Sequence, residues 1–169
     1  VFTGCPYDRA YIWQAFTGEE TRQLTGHTAG VPGAGVSPDG KRSVTASGDD
    51  DNTARIWDAS SGQEVHLLKG HTHAVISAAF SPNGETVVTA SRDETARIWD
   101  AATGQPVHQL NGHRSWVRSA AYSPDGKFVV TASADGTVRI WDAATGQEIR
   151  QIVSDLCKKN SVSCMIGAA

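Results

Sequence analysis

Residues 70–100 read GHTHAVISAAFSPNGETVVTASRDETARIWD, and this stretch decides the fold. Gly70-His71 opens it and Trp99-Asp100 closes it. Between them lie three runs, AVISAAF, ETVVTAS and TARIWD, separated by a Pro-Asn-Gly turn and an Arg-Asp-Glu turn. Short runs of this composition bounded by turn residues read as β-strands. The unit recurs: Gly112-His113 leads to Trp141-Asp142, and Gly26-His27 leads to Trp57-Asp58. Self-similarity at a spacing of 42 to 44 residues signals an array of supersecondary units rather than one mixed domain.

Gly-His, a turn and Trp-Asp at this spacing resemble the WD40 repeat family, whose members form β-propellers. The resemblance implies an all-β fold, a WD40-like β-propeller segment of four-stranded antiparallel blades. Residues 70–111 and 112–153 match at 26 of 42 positions, so two near-copies of one backbone are expected. Residues 26–69 form a third full unit with a degenerate first strand. It reads VPGAGV where the next unit has VISAAF. Pro32 removes a ladder donor, and Gly33 and Gly35 leave no side chain to pack, so this strand should be short, irregular or missing. The same unit has a longer turn, SGDDDNTARIWD against SRDETARIWD.

Residues 1–25 align without gaps on residues 87–111 and read as an incomplete blade holding the later strands only. Tyr7 stands there in place of Asp93 and Gln14 in place of Asp100. Residues 154–169 are a non-repeat tail. Within it SVSCMI, residues 161–166, is β-prone and lies over AVISAAF, which suggests a strand able to close a ring.

The chain's 15 Lys and Arg against 18 Asp and Glu give a formal net charge of −3. Such a balance argues against nucleic acid or an anionic membrane as partner, since phosphate binding needs a basic face. With no long apolar run and no signal-peptide pattern at the start, the expectation is a soluble cytoplasmic protein. Cys5, Cys157 and Cys164 are odd in number and lie outside the repeats, which reads as free thiols rather than a disulfide framework.

In the WD40 family a His, a Ser or Thr, an Asp and a Trp form a buried hydrogen-bonded chain. Carried over by position, the resemblance gives His71, Ser91, Asp93 and Trp99 in one unit and His113, Ser133, Asp135 and Trp141 in the next. Strand alternation puts Thr89 and Thr131 on the same face as those serines, so either hydroxyl fits. In the first full unit His27, Ser47 and Trp57 match; Asp51 fits by its distance from Trp57 and Asp49 by its distance from Ser47. An indole N–H must donate, a hydroxyl can accept and pass the bond on, and a carboxylate ends the chain. Ser, His and Asp in one network also invite a nucleophilic reading. Threefold recurrence with a fixed Trp favours the structural one, so no catalytic residue is assigned.

No metal site is assigned either. His71 already has a role in the repeat, and Asp49-Asp50-Asp51-Asn52 lacks the following Gly and distal Glu of a calcium loop. No cofactor is expected. Function is better sought where the near-copies differ: Thr72, His73, Ala74 and Ile76 against Arg114, Ser115, Trp116 and Arg118, and Arg92 and Glu94 against Ala134 and Gly136. The resemblance places both clusters on one end of the blades, where such proteins bind peptides and other proteins. The candidate partner-binding residues are Ala74, Ile76, Arg92, Arg114, Trp116, Arg118 and Ala134, led by Trp116 because Trp and Arg dominate interface hot spots. The expected function is a non-catalytic scaffold for a protein or peptide partner in a signalling or regulatory assembly. Near-identical repeats of this kind are similar to bacterial WD40 arrays that follow signalling modules. Two alternatives stand beside it: a partial propeller that self-associates through open blade faces or works within a larger chain, and a propeller hydrolase.

Overall fold

The computed structural model of the chain describes residues 2–4, 9–13 and 17–153, and every regular element among them is a β-strand. The first sheet holds β1 (Phe2–Gly4), β2 (Arg9–Trp13) and β3 (Glu20–Thr25). The second holds β4 (Gly33–Val36), β5 (Arg42–Ala46), β6 (Ala54–Asp58) and β7 (Glu64–Leu68). The third holds β8 (Val75–Phe80), β9 (Thr86–Ser91), β10 (Ala96–Asp100) and β11 (Pro106–Leu110). The fourth holds β12 (Val117–Tyr122), β13 (Phe128–Ser133), β14 (Thr137–Asp142) and β15 (Glu148–Val153). Each sheet is an antiparallel meander in chain order, and no helix long and apolar enough to cross a membrane occurs among the described residues. The expected closing strand at 161–166, the three cysteines, Tyr7 and Gln14 lie outside the described residues.

Turn chemistry sets the meander. In the β8–β9 turn Gly84 takes a positive φ of 73° and its N–H donates to Ser81 O, while Ser81 Oγ accepts the Thr86 N–H. In the β10–β11 turn the Asp100 carboxylate accepts the N–H groups of Ala102 and Thr103 and the Thr103 hydroxyl, with Gly104 at φ 72°. Side-chain acceptors followed by a left-handed glycine are how short turns of this type close.

The sheets pack face to face along the chain. Val44, Ala46, Ile56 and Leu68 of the second sheet meet Val75, Val87 and Trp99 of the third. The equivalent set of the third, Val88, Ala90, Ile98 and Leu110, meets Val117, Val129 and Trp141 of the fourth. Each fully buried aliphatic side chain is worth about 1.5–3 kcal/mol, so these seams hold the array together. Polar ties run along their outer edge. Arg22 Nε donates to Ser60 O at 3.0 Å, and the ring Nε2 of His66 and of His108 donates to Ala102 O and Ala144 O, each at 2.8 Å. On β15 that position is Arg150, which is exposed. The fourth sheet has no following neighbour among the described residues, and its forward-facing Val130 and Ile152 are exposed.

The degenerate first strand is present but short. β4 has four residues against six in β8 and β12, and it pairs with β5 without a register shift. The glycines have a positive role there. A Cβ at Gly33 would stand 2.8 Å from Ile76 O, and one at Gly35 would stand 3.2 Å from Ala78 O. The backbones of β4 and β8 therefore approach more closely than side chains at those positions allow.

Candidate functional site

Three hydrogen-bonded chains brace the sheets, and their hydroxyl comes from threonine. Trp57, Trp99 and Trp141 each donate their indole N–H to the Oγ1 of Thr45, Thr89 and Thr131 at 2.8 Å. The same oxygens lie 2.7–2.8 Å from Nε2 of His27, His71 and His113. Because an indole can only donate, each threonine accepts from it and passes its own proton to Nε2. The imidazoles then carry their proton on Nδ1, which faces Oδ2 of Asp51, Asp93 and Asp135 at 2.7–3.0 Å.

The placement corrects Ser47, Ser91 and Ser133. Two residues further along the strand, they clasp the loop that follows the histidine: Ser91 Oγ donates to His73 O and Ser133 Oγ to Ser115 O, both at 3.0 Å, and Ser47 Oγ donates to Ala29 O at 3.2 Å. Ser91 and Ser133 also accept the N–H of Asp93 and Asp135. Alternation gave the correct face but not the correct rung, because that choice depends on how far the imidazole reaches across the sheet. No serine touches a histidine in these networks, so the Ser-His-Asp geometry of a nucleophilic site is not formed by them. Of the two aspartates that fitted the second sheet, Asp51 joins the chain and Asp49 does not.

Thr53, Thr95 and Thr137 complete the aspartate shell. Each donates its hydroxyl to Oδ1 of the aspartate two residues earlier, while the N–H of Thr28, Thr72 or Arg114 donates to Oδ2. Sequence reading missed these threonines, although the shared Asp-x-Thr spacing was their signal. Burial drives the three imidazoles below their ordinary value and outweighs the facing carboxylates, so they are neutral. Burial alone would raise the aspartates, but hydrogen bonds from histidine, threonine and backbone hold all three below the usual carboxylate range.

The variable positions fall on the end of the sheets that carries the Gly-His loops. Trp116 is 46% exposed, and the Arg92 guanidinium lies 4.7 Å above its ring centroid. Arg92 also reaches back to Asp49, with Nη1 2.7 Å from Oδ2. One side chain, Arg92, thus joins the second, third and fourth sheets. Arg114 and Arg118 are exposed beside it, and Ala134, also exposed, donates its N–H to Trp116 O at 2.9 Å. Ile76 and Arg118 sit in register shifts of the β8–β9 and β12–β13 ladders, where a bulge re-aims a side chain. Ala74 is a correction. It occupies the place of Trp116 in the third sheet but is 2% exposed, because a methyl group fits beneath the loop where an indole must project.

The aspartate run diverges. Asp49 faces Arg92 and Asp51 faces His27, and among the described residues no group of three or more His, Cys, Asp or Glu is placed to hold a metal ion.

Three segments match the family model described as WD domain, G-beta repeat: residues 18–58, 62–100 and 104–142. Each begins at the outer strand of one sheet and ends with the third strand of the next, one strand out of phase with the sheets themselves. No match is found among curated protein sequences. The three segments cover more than half of the 169 residues, and the chain belongs to the WD40 repeat family, whose domains are generally non-catalytic scaffolds for protein interaction.

Proposed function

We propose that the chain recognises a protein or peptide partner through the end of its sheets that carries Trp116, Arg92, Arg114 and Arg118, as part of a cytoplasmic signalling or regulatory assembly. The observation that carries this is the Trp116 indole, half in solvent yet held by Arg92, which Asp49 anchors from the adjoining sheet. An aromatic group fixed before binding loses little freedom on contact, which is what makes such residues efficient anchors. The partner segment offers an apolar side chain to the indole and a carboxylate to Arg114 or Arg118. The signalling setting rests on the likeness of the near-identical repeats to bacterial arrays of this type. Binding to an array of apolar-acidic peptides tests the reading. Trp116→Ala is expected to weaken the bound peptides at least tenfold with an unchanged thermal midpoint, and equal binding by the two proteins overturns it.

Self-association is a second reading, favoured by the exposed Val130 and Ile152, whose counterparts Val88 and Leu110 are sealed by the next sheet. Sedimentation velocity is expected to show a discrete oligomer that Ile152→Lys disperses. A monomer at all concentrations removes this reading.

A further inference from the structure

At the end of the sheets opposite Trp116, the antiparallel order brings together the first-to-second-strand turns and the third-to-outer-strand turns of neighbouring sheets. The seam between the second and third sheets is filled there by Arg42. Its Nη1 donates to Ala101 O and its Nη2 to Gly84 O, both at 2.8 Å, and its guanidinium lies 5.5 Å from the Phe80 ring centroid. The seam between the third and fourth sheets has the same walls. Pro82 faces Gly126 as Pro38 faces Gly84, and Ala143 stands where Ala101 does. Its own position equivalent to Arg42 is Thr86, and the space left is a cavity of about 480 Å³ lined by Thr86, Tyr122, Asp125, Gly126, Ala143 and Glu85 among others.

Most changes between the two seams favour a cation from outside, although Asp39 to Asn83 and Glu85 to Lys127 run the other way. Arg42 becomes Thr86, which withdraws a guanidinium and opens the space. Lys41 becomes Glu85 and Asn83 becomes Asp125, while Asp39 becomes Asn83, so these three positions go from one cation and one carboxylate to two carboxylates. Phe80 becomes Tyr122, which keeps an aromatic ring on the wall; burial pushes its phenol up to about 12, so it adds no charge, and its hydroxyl lies 2.9 Å from Thr86 Oγ1. Among the described residues, no backbone N–H outside the strand ladders and no side chain donates to Gly126 O or Ala143 O, the counterparts of the two oxygens that Arg42 occupies. Asp125 also faces Lys127 Nζ at 3.8 Å, but both side chains are at least half exposed and such a pair holds little.

We infer that the cavity between the third and fourth sheets binds the guanidinium group of an arginine residue presented by another polypeptide, in the arrangement that Arg42 adopts one seam earlier. The planar fork donates to Ala143 O and Gly126 O and lies on Tyr122, with Glu85 and Asp125 supplying the field. An ammonium has no fork to span two carbonyls, so a lysine is a poorer fit.

Titration of the chain with N-acetyl-arginine amide, followed by the amide resonances of Gly126, Ala143 and Ala144, tests the site. Saturable shifts at those positions are expected, at least fivefold weaker with N-acetyl-lysine amide and absent with the uncharged N-acetyl-citrulline amide. N-acetyl-arginine, whose free carboxylate meets Glu85 and Asp125 with no ammonium to offset it, is expected to bind more weakly than the amide; the reverse order overturns a residue within a polypeptide as the source. Thr86→Arg is expected to fill the cavity in cis and abolish the shifts. Glu85→Lys, which copies Lys41 and leaves the space open, is expected to weaken binding at least fivefold and serves if Thr86→Arg does not fold. No saturable shifts, an equal response to citrulline, or unaltered binding by Glu85→Lys overturns the inference. None of these readouts involves Trp116, so the two ends are tested separately.

Discussion

Residues 87–91 and 129–133 are the same five amino acids, VVTAS, in the same place on β9 and β13, and they have different fates. Val88 is sealed, whereas Val130 is 37% exposed. The strands, their partners and their register agree, so the difference comes from the neighbour: the fourth sheet covers Val88, and no described sheet covers Val130. Burial in this array is conferred by the adjoining unit.

The largest expected effect sharpens that contrast. Leu110→Ala should lower stability by about 2–5 kcal/mol, because it opens a void in a closed seam. Its counterpart Ile152→Ala, already 47% exposed, should lower it by under about 1 kcal/mol. Urea midpoints at constant slope measure both, and equal losses would mean that the fourth sheet is covered in solution.

Within one sheet, Thr89 and Ser91 form a second contrast. Thr89→Val leaves Trp99 Nε1–H and His71 Nε2 without partners, at about 1–3 kcal/mol each. Ser91→Ala removes the clasp on His73 O and the acceptor of the Asp93 N–H, and should cost about 1–2 kcal/mol. Were the serine the costlier loss in denaturant titration, the hydroxyl assignment would be reversed.

Acidification acts on all three networks together. The histidines have folded values below 6.5, so as pH falls through that value the unfolded chain takes up protons the folded one refuses, and stability declines. The aspartates have folded values below 3.8, so their contribution is present above that value and fades as pH falls below it. Thermal midpoints measured from neutral pH downward should therefore decline in two stages. A midpoint that rises between neutral pH and pH 5 would contradict the sign.

The smallest effect returns to the twin repeats. Glu94 holds a positive φ of 69° where Gly136 holds 81°. Glu94→Gly should stabilise by about 1 kcal/mol or less, and Gly136→Glu should destabilise by a similar amount. A calorimetric shift of the same sign for both would show that the turns are not equivalent.

Sequence alone revealed the sheets because each unit repeats turn residues and Trp-Asp at fixed offsets. It placed the histidines, aspartates and tryptophans for the same reason. The threonine was harder, since Thr89 and Ser91 share a face and only the distance from the imidazole separates them. Ala74 was misjudged because a difference between copies marks where change is tolerated, and only packing tells whether the smaller residue reaches solvent. Gly33 and Gly35 read as decay, yet their bare backbones let β4 lie close to β8. The groove beside Tyr122 was illegible in one dimension, since its walls come from three turns on two units and its meaning from an arginine in a third.

The offset between the family's sequence unit and the sheet has a genetic consequence. Arg97–Gln105 and Arg139–Gln147 are identical, RIWDAATGQ, and both span the turn into the outer strand. Unequal recombination within that shared tract would insert or delete one complete period while every join kept its matching surfaces. A module added or removed at that tract would arrive or leave with both flanks ready to mate.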